Sequence, residues 1–155
     1  MIIINMSLEK DITQQNFRNE HQKGVINIIY TYNWINEKMK VFFDKENITA
    51  QQFNILRILR GAGKPISTLQ IRERMLDKMS DTSRIVDRLV LKGLAKKSVC
   101  KADKRLVDVS ISDKGLKLLS KLDTYQDDMD SVMQNLSATE AKTLNILLDK
   151  IRNRE

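Results

Sequence analysis

The segment between residues 80 and 112 constrains the fold of this 155-residue chain more than any other. It opens with apolar residues that recur at the spacing of one helix face, namely Ile85, Val86, Leu89 and Val90. We predict that Ser80 caps this helix and that Gly93 ends it in a left-handed conformation. The helix then presents an outward polar edge, made of Ser83, Arg84, Asp87 and Arg88.

A β-hairpin is predicted directly after this helix. Val107, Val109 and Ile111 alternate with the positions between them, which is the period of a half-buried strand. We expect this strand to pair with residues 94–100, across a turn, KADKR, that carries three cations on five residues. A short helix with a polar outer edge, followed by a cationic hairpin, is typical of a winged helix-turn-helix.

Positive charge is concentrated in the middle third of the chain. The formal net charge is +7, and residues 57–105 alone hold 14 Lys or Arg against 5 Asp or Glu. The segments on either side are neutral or slightly acidic. Cations gathered on one module favour a polyanionic partner such as nucleic acid.

The composition excludes several other classes of protein. A single cysteine rules out an intramolecular disulfide framework, and a single histidine far from it leaves no zinc-ligand cluster. We find no Ser, His and Asp set, no phosphate-binding glycine loop and no carboxylate pair, so we expect neither an enzyme nor a bound cofactor or metal. No apolar run approaches the roughly 20 residues of a membrane span, and MIII at the N-terminus lacks the features of a signal peptide. We therefore expect a cytoplasmic protein without membrane contact.

Helical patterns flank the winged segment on both sides. The first, from about residue 12 to residue 46, has a wide apolar stripe that includes Val25, Ile28, Tyr32, Ile35, Met39 and Phe42. A long helix is expected from Asp113 to about Asn135, and a last one follows to residue 153. Their combined apolar surface exceeds what one small module can bury. We therefore predict a single domain, 1–155, in which dimerisation helices at 12–46 and 113–153 enclose a winged helix-turn-helix at 49–112.

Three helix starts have capping signals. Thr49 with Gln52, and Ser137 with Glu140, match the capping box, and Ser67 is placed to cap the helix between them. The predicted fold class is therefore mainly α with a small β-hairpin wing.

With these residues assigned, the chain resembles the MarR family of bacterial transcriptional regulators. The resemblance is carried by residues 83–89, 92–94 and 103–105, and then by Val107, Val109, Ser110, Ile111, Ser112, Lys114 and Gly115. The order of the helices around the wing also matches. This resemblance implies a homodimer held by the N- and C-terminal helices, with two winged modules that bind double-stranded DNA.

The resemblance also implies which positions contact DNA. From the recognition helix they are Asp81, Thr82, Ser83, Arg84, Asp87 and Arg88, at the major groove. From the wing they are Lys101, Asp103, Lys104 and Arg105, with Lys104 and Arg105 at the minor groove and Asp103 paired to an arginine. The chain departs from the family pattern at Lys104, where arginine is usual, and at Val90 and Leu91, where charged residues are frequent. We expect slightly weaker minor-groove insertion from the first change and a packing contact for Leu91 from the second.

For several residues a structural role is the alternative. Arg84 and Arg88 would otherwise be solvated cations paired with Asp81 and Asp87, and the wing cations would otherwise protect a strand edge. Cys100 is interpreted as a small buried hydrophobe rather than a redox sensor, and His21 as a surface residue. Candidate residues for a small-molecule pocket, each of which suits a core position equally, are Tyr30, Trp34, Met39, Phe53 and Tyr125.

The sequence thus predicts a homodimeric, sequence-specific DNA-binding regulator, a repressor that a small ligand releases from a palindromic operator. Two recognition helices would read half-sites about 34 Å apart. The alternative is a winged-helix module that docks an acidic protein partner, although such a module normally presents apolar anchors rather than a polar edge.

Overall fold

The computed structural model describes residues 7–99 and 107–153 of the chain. The helices are α1 (Leu8–Asp11), α2 (Glu20–Lys45), α3 (Ala50–Ala62), α4 (Thr68–Arg74), α5 (Thr82–Leu91), α6 (Asp113–Asp123), α7 (Gln126–Asp130) and α8 (Ala138–Arg152). The strands are β1 (Ile66–Ser67), β2 (Ala95–Val99) and β3 (Val107–Ile111). A turn of 3-10 helix, Ser131–Met133, follows α7.

The chain divides into two compact units, with the boundary between Lys38 and Met39 inside α2. In the first unit, the Lys23 ammonium of α2 forms a salt bridge with the Glu9 carboxylate of α1. The second unit holds the remaining helices and the sheet.

The core of the second unit lies where α3, α5 and α6 meet the sheet. Its fully buried side chains include Ile55, Leu56, Leu59, Ile71, Met75, Val86, Leu89, Val109, Leu119 and Leu122. The predicted buried face of the helix at 82–91 is therefore confirmed. Burial of these side chains fixes α5 against α3 and leaves its opposite edge in solvent.

The sheet has three antiparallel strands in the order β1, β3, β2. The predicted hairpin is present, with Ala95 opposite Ile111 and Val99 opposite Val107. The sequence did not predict β1, in which Ile66 pairs with Val109. Because β3 is consequently the central strand, Val109 is fully buried, whereas Val107, predicted to share its buried face, is exposed.

The predicted capping boxes of α3 and α8 are confirmed. The Thr49 hydroxyl accepts a hydrogen bond from the Gln52 backbone N–H, and Ser137 and Glu140 form the same reciprocal pair. Ser67 caps α4, and Gln70 completes a third box there. Gly93 has a φ of +71°, the left-handed conformation expected after α5.

The start of α5 differs from the prediction. Asp81, not Ser80, is the N-cap residue, and its side chain accepts a hydrogen bond from the Arg84 backbone N–H. The Ser80 hydroxyl instead donates to the Asp77 carboxylate in the preceding turn. Aspartate caps a helix as well as serine does, and the turn geometry places Asp81 at the cap position.

The helix expected from Asp113 to about Asn135 is interrupted. It ends at Asp123, and α7 and the 3-10 turn follow as separate elements. The Thr124 hydroxyl donates to the Lys121 carbonyl oxygen at 2.7 Å, and Asp123 is engaged by Arg60. Three aspartates in the five residues of α7 also disfavour a continuous helix, because they are weak helix formers of like charge.

The N-terminal helix also begins later than predicted. Its first residue is Glu20 rather than a residue near 12, and the Asn19 carboxamide oxygen accepts a hydrogen bond from the Gln22 backbone N–H at 2.9 Å. Residues 8–11, which precede it, form α1. Among the helices of residues 7–99 and 107–153, none combines the length and apolar character needed to cross a membrane.

Candidate nucleic-acid interface

The outer edge of α5 is polar and open to solvent. Ser83, Arg84, Asp87 and Arg88 are exposed, whereas Val86 and Leu89 on the opposite face have no exposed surface. The helix is also strongly amphipathic in sequence, because its apolar residues follow the 3.6-residue period. Burial of one face orients the cationic edge outward, as the sequence predicted.

Arg84 lies at the start of this edge. Its Nε is 3.6 Å from Asp81 Oδ2, so the local pair considered as an alternative does exist. Both side chains are mostly exposed, and an exposed ion pair of this kind contributes little free energy. Arg84 can therefore leave Asp81 and bind a base edge or a phosphate with only a small loss of free energy from the broken pair.

Thr82 differs from the other predicted contact residues because its side chain is buried. Its hydroxyl lies 3.3 Å from Met75 Sδ and within hydrogen-bond reach of the Ser80 carbonyl oxygen. Thr82 thus anchors the start of α5 to the α4–α5 turn, and its hydroxyl does not lie on the outer edge.

Asp87 forms a salt bridge with Lys97 of β2. This contact links the middle of α5 to the first strand of the hairpin, so the helix edge and the wing strand are held together by oppositely charged side chains. Lys97 was not among the predicted site residues. Its exposed position in a strand beside the cationic turn was the available signal.

The tip of the wing lies outside the described residues. This applies to Cys100 and to the predicted contacts Lys101, Asp103, Lys104 and Arg105, whose roles stay predictions. The described parts of β2 and β3 remain paired up to Val99 and Val107, so the hairpin extends at least to that point.

Two grooves border α5. One, of about 460 Å³, lies beside its C-terminal half and is lined by Asp44, Asn47, Ile48, Thr49, Gln52, Arg88, Leu91 and Lys92. Lys92 Nζ donates to the Gln52 side-chain oxygen at 3.3 Å within it. Leu91 is 86% exposed, so the packing contact expected for this residue is absent from the described part of the chain.

The second groove, of about 400 Å³, lies at the other end of α5. It is lined by Thr68, Leu69, Arg72, Met79, Ser80, Asp81, Thr82 and Ser83. Leu69 is 64% exposed there. The sequence did not single out Arg72 or Met79 as site residues.

The five residues predicted for a ligand pocket have different surroundings. Tyr30 and Trp34 line a pocket of about 340 Å³ in the first unit, together with Leu8, Glu9 and Lys23 among others. Met39, Phe53 and Tyr125 belong to the second unit, where they pack partly buried against its core.

The first-unit pocket contains the ion pair of Glu9 and Lys23. The hydrogen bond from Lys23 lowers the pKa of the Glu9 carboxyl, and the same contact raises the pKa of Lys23. Both groups therefore remain charged near neutral pH. His21, expected at the surface, is exposed on the same helix.

The three-helix arrangement α3, α4, α5 with the β2–β3 hairpin defines a winged helix-turn-helix protein. Comparison with known proteins agrees with this fold. The family model described as the MarR family matches residues 48–107. Over this segment the chain is similar to the MarR family of transcriptional regulators.

Individual relatives are similar over most of the chain. The HTH-type transcriptional regulator PecS of Dickeya dadantii is 26% identical over 120 residues, which cover 76% of this chain and 72% of PecS. A mutant of Escherichia coli MarR, solved in complex with operator DNA, superposes with a TM-score of 0.79 at 25% identity and covers 88% of this chain and 99% of its own. BpsR of Bordetella bronchiseptica, whose DNA binding is regulated by 6-hydroxynicotinic acid, shares the fold at a TM-score of 0.79 and 20% identity, covering 91% of this chain and 100% of its own.

Proposed function

We propose that this protein is a homodimeric repressor that binds a palindromic DNA operator and releases it when a small ligand binds. The observation that carries the proposal is the exposed edge Ser83, Arg84, Asp87 and Arg88, which lies on a helix whose opposite face packs against the core. A rigid helix with cationic and hydrogen-bonding side chains on its outer edge suits direct readout in the major groove. The related E. coli MarR was solved with operator DNA, which supports the same partner here.

Exposed apolar helix surfaces support the homodimer. On α2, Val25, Ile29 and Tyr32 are more than half exposed, and on α8 Ile146, Leu147 and Ile151 are too. No residue of α8 is fully buried, although its sequence is amphipathic. Apolar faces of this extent normally meet a partner, and a second copy of the chain would supply two recognition helices about 34 Å apart.

The pocket of the first unit supports a ligand response. Tyr30 and Trp34 provide aromatic surface beside the Glu9–Lys23 ion pair, and aromatic walls with a few polar groups are the usual lining of small-molecule sites. BpsR illustrates that a protein of this fold is regulated through a small ligand. A ligand that binds one spacing of the two winged modules more tightly would shift the population toward it.

A mobility-shift experiment tests DNA binding directly. The full chain is titrated against duplex fragments from upstream of its own gene, with a fragment of equal length and base composition as the control. We expect a discrete complex on the upstream fragment at a protein concentration at least tenfold below that needed for the control. Equal affinity for both fragments would contradict sequence-specific binding and leave the acidic-protein partner as the better explanation of the basic surface.

Trp34 offers a direct test of the pocket, because it is the chain's one tryptophan. Small aromatic acids and phenols are screened for quenching of its fluorescence, and those that quench are added to the mobility-shift reaction. We expect at least one quenching compound to dissociate the DNA complex. If a compound quenches Trp34 fluorescence but does not affect DNA binding, ligand binding in this pocket does not regulate DNA binding.

A further inference from the structure

An almost fully exposed methionine lies beside the start of the recognition helix. Met79 is 93% exposed and precedes the N-cap residue Asp81 by two positions. It lines the groove between α4 and α5 together with Leu69, which is 64% exposed. A single exposed apolar residue is ordinary, but Leu69 and Met79 face one groove and together form a small apolar patch.

This apolar patch is continuous with the polar edge of α5 that is proposed to bind DNA. Ser83, the first residue of that edge, lines the same groove, and Arg72 of α4 also lines it. Asp81 faces the groove too, but its carboxylate is engaged by the Arg84 backbone N–H at 3.1 Å and by Arg84 Nε. The groove therefore combines apolar surface with one cation, Arg72, whose charge suits a phosphate-lined partner.

The major groove of DNA exposes one prominent apolar group, the C5-methyl of thymine, among its hydrogen-bonding edges. Residues at the N-terminal end of a recognition helix are the ones that approach base edges. We propose that Met79, with Leu69 beside it, receives a thymine C5-methyl and so determines part of the operator sequence. The unbranched, polarisable methionine side chain adapts readily to such a contact. This inference rests on the proposed DNA-binding function.

Replacement of thymine by deoxyuridine tests the contact, because it removes only the methyl group. A duplex is selected from a random library with the wild-type protein, and each thymine is then replaced in turn. We expect one symmetric pair of positions at which wild-type affinity falls about fourfold for each methyl removed. The Met79→Ala variant removes the contact from both protomers, so it should bind the unmodified duplex more weakly by about fourfold for each of the two contacts. It should show no further loss on the deoxyuridine duplexes.

Leu76→Ala is the matched control. Leu76 is 89% exposed in the same turn, but it does not line the groove, and its backbone N–H bonds to Asn54 Oδ1 of α3. We expect this variant to keep the full methyl dependence. Since both side chains are exposed, neither substitution should lower the thermal unfolding temperature.

Three outcomes would overturn the inference. If every deoxyuridine duplex binds the wild type as tightly as the unmodified one, no methyl is read. If wild type and Met79→Ala lose the same factor at the same position, another residue reads it. If the wild type selects no sequence from the library, the proposed function itself fails, and Met79 would then be better explained as a contact for another protein or a second copy of the chain.

Discussion

Arg60 and Asp123 join α3 to α6 through two hydrogen bonds, with Nη1 to Oδ2 at 2.6 Å and Nη2 to Oδ1 at 3.1 Å. The pair is about two thirds buried and lies at the last residue of α6, where the helix ends. Lys121 makes a second link from α6, with its ammonium 2.7 Å from the Glu46 carboxylate. The helix that follows the wing is thus held to the winged module by the Arg60–Asp123 ion pair as well as by Leu119 and Leu122 in the core.

Replacement of Asp123 by Asn should destabilise the protein by about 1 kcal/mol, because a bidentate ion pair is removed while both side chains stay partly solvated. The hydrogen bond from Arg60 lowers the pKa of the Asp123 carboxyl, so the folded state binds this proton more weakly than the unfolded state does. The stabilisation is therefore present above the ordinary carboxyl pKa and is lost as the pH falls below about 4. Urea unfolding of both proteins at neutral pH and near pH 3 measures the difference.

Asp149→Asn is the control for this change, because Asp149 pairs with Arg152 on the exposed surface of α8. We expect no measurable effect on the free energy of unfolding. If Asp123→Asn loses the same free energy of unfolding at both pH values, packing rather than charge explains the contribution of Asp123 to stability.

Gly115 is required by a close approach of the backbone. A Cβ at this position would lie 2.3 Å from the Leu94 carbonyl oxygen and 2.8 Å from Ile111 Cγ1. The Gly115→Ala variant should therefore lose about 2 kcal/mol of stability, despite the better helix propensity of alanine. Thermal unfolding provides the measurement.

Gly61→Ala, also in a helix, has no atom within 4 Å of the added Cβ. It should leave stability unchanged or raise it by up to about 1 kcal/mol. Similar losses in both variants would refute the steric explanation.

Arg84→Ala should weaken binding to the selected palindrome much more than binding to random DNA. A bidentate contact to guanine contributes about 1 to 3 kcal/mol of discrimination, so we expect roughly a tenfold loss or more on the palindrome. Mobility shifts on both duplexes at one salt concentration measure this ratio. Equal losses of affinity on both duplexes would indicate that Arg84 contacts a phosphate rather than a base. Because the Arg84 side chain is exposed, misfolding of the variant would not explain such a loss.

Replacement of Lys104 and Arg105 by Ala should flatten the salt dependence of DNA binding. Fewer counterions are released when fewer phosphates are neutralised, so the slope of log K against log salt should fall by about 0.9 for each phosphate that is no longer neutralised. Binding is measured between about 50 and 200 mM salt. Lys142→Ala with Lys150→Ala, on α8, serves as a charge-matched control, and an unchanged slope in the wing variant would show that the wing does not touch DNA.

Charge introduced on the apolar face of α8 should weaken self-association. We expect Ile146→Lys with Ile151→Lys to shift the protein from dimer to monomer, because both side chains are exposed in the single chain and would be buried in a dimer. Sedimentation velocity at several concentrations detects the shift. Leu91→Lys, also exposed but on the recognition helix, should remain dimeric, and a dimer in both variants would exclude α8 from the interface.

Local signals in the sequence determined several helix ends and one buried helix face. Thr49 with Gln52, Ser137 with Glu140, and Gly93 after the recognition helix depend on residues within one helical turn, so their geometry follows from neighbours in the chain. The buried face containing Val86 and Leu89 follows from the 3.6-residue period alone. For the same reason the outward edge with Arg84 was predicted correctly.

Only the tertiary structure decided the features that depend on distant residues. Arg60 is 63 positions from Asp123, and no local pattern indicates that their contact marks the end of α6. Ile66 becomes a strand only because Val109 is opposite it, and this pairing makes β3 central and leaves Val107 exposed. Likewise, Leu69 and Met79 acquire a shared groove only when α4 folds against the start of α5. Periodicity specifies which face of an element is apolar, whereas long-range contacts specify which of those faces is covered.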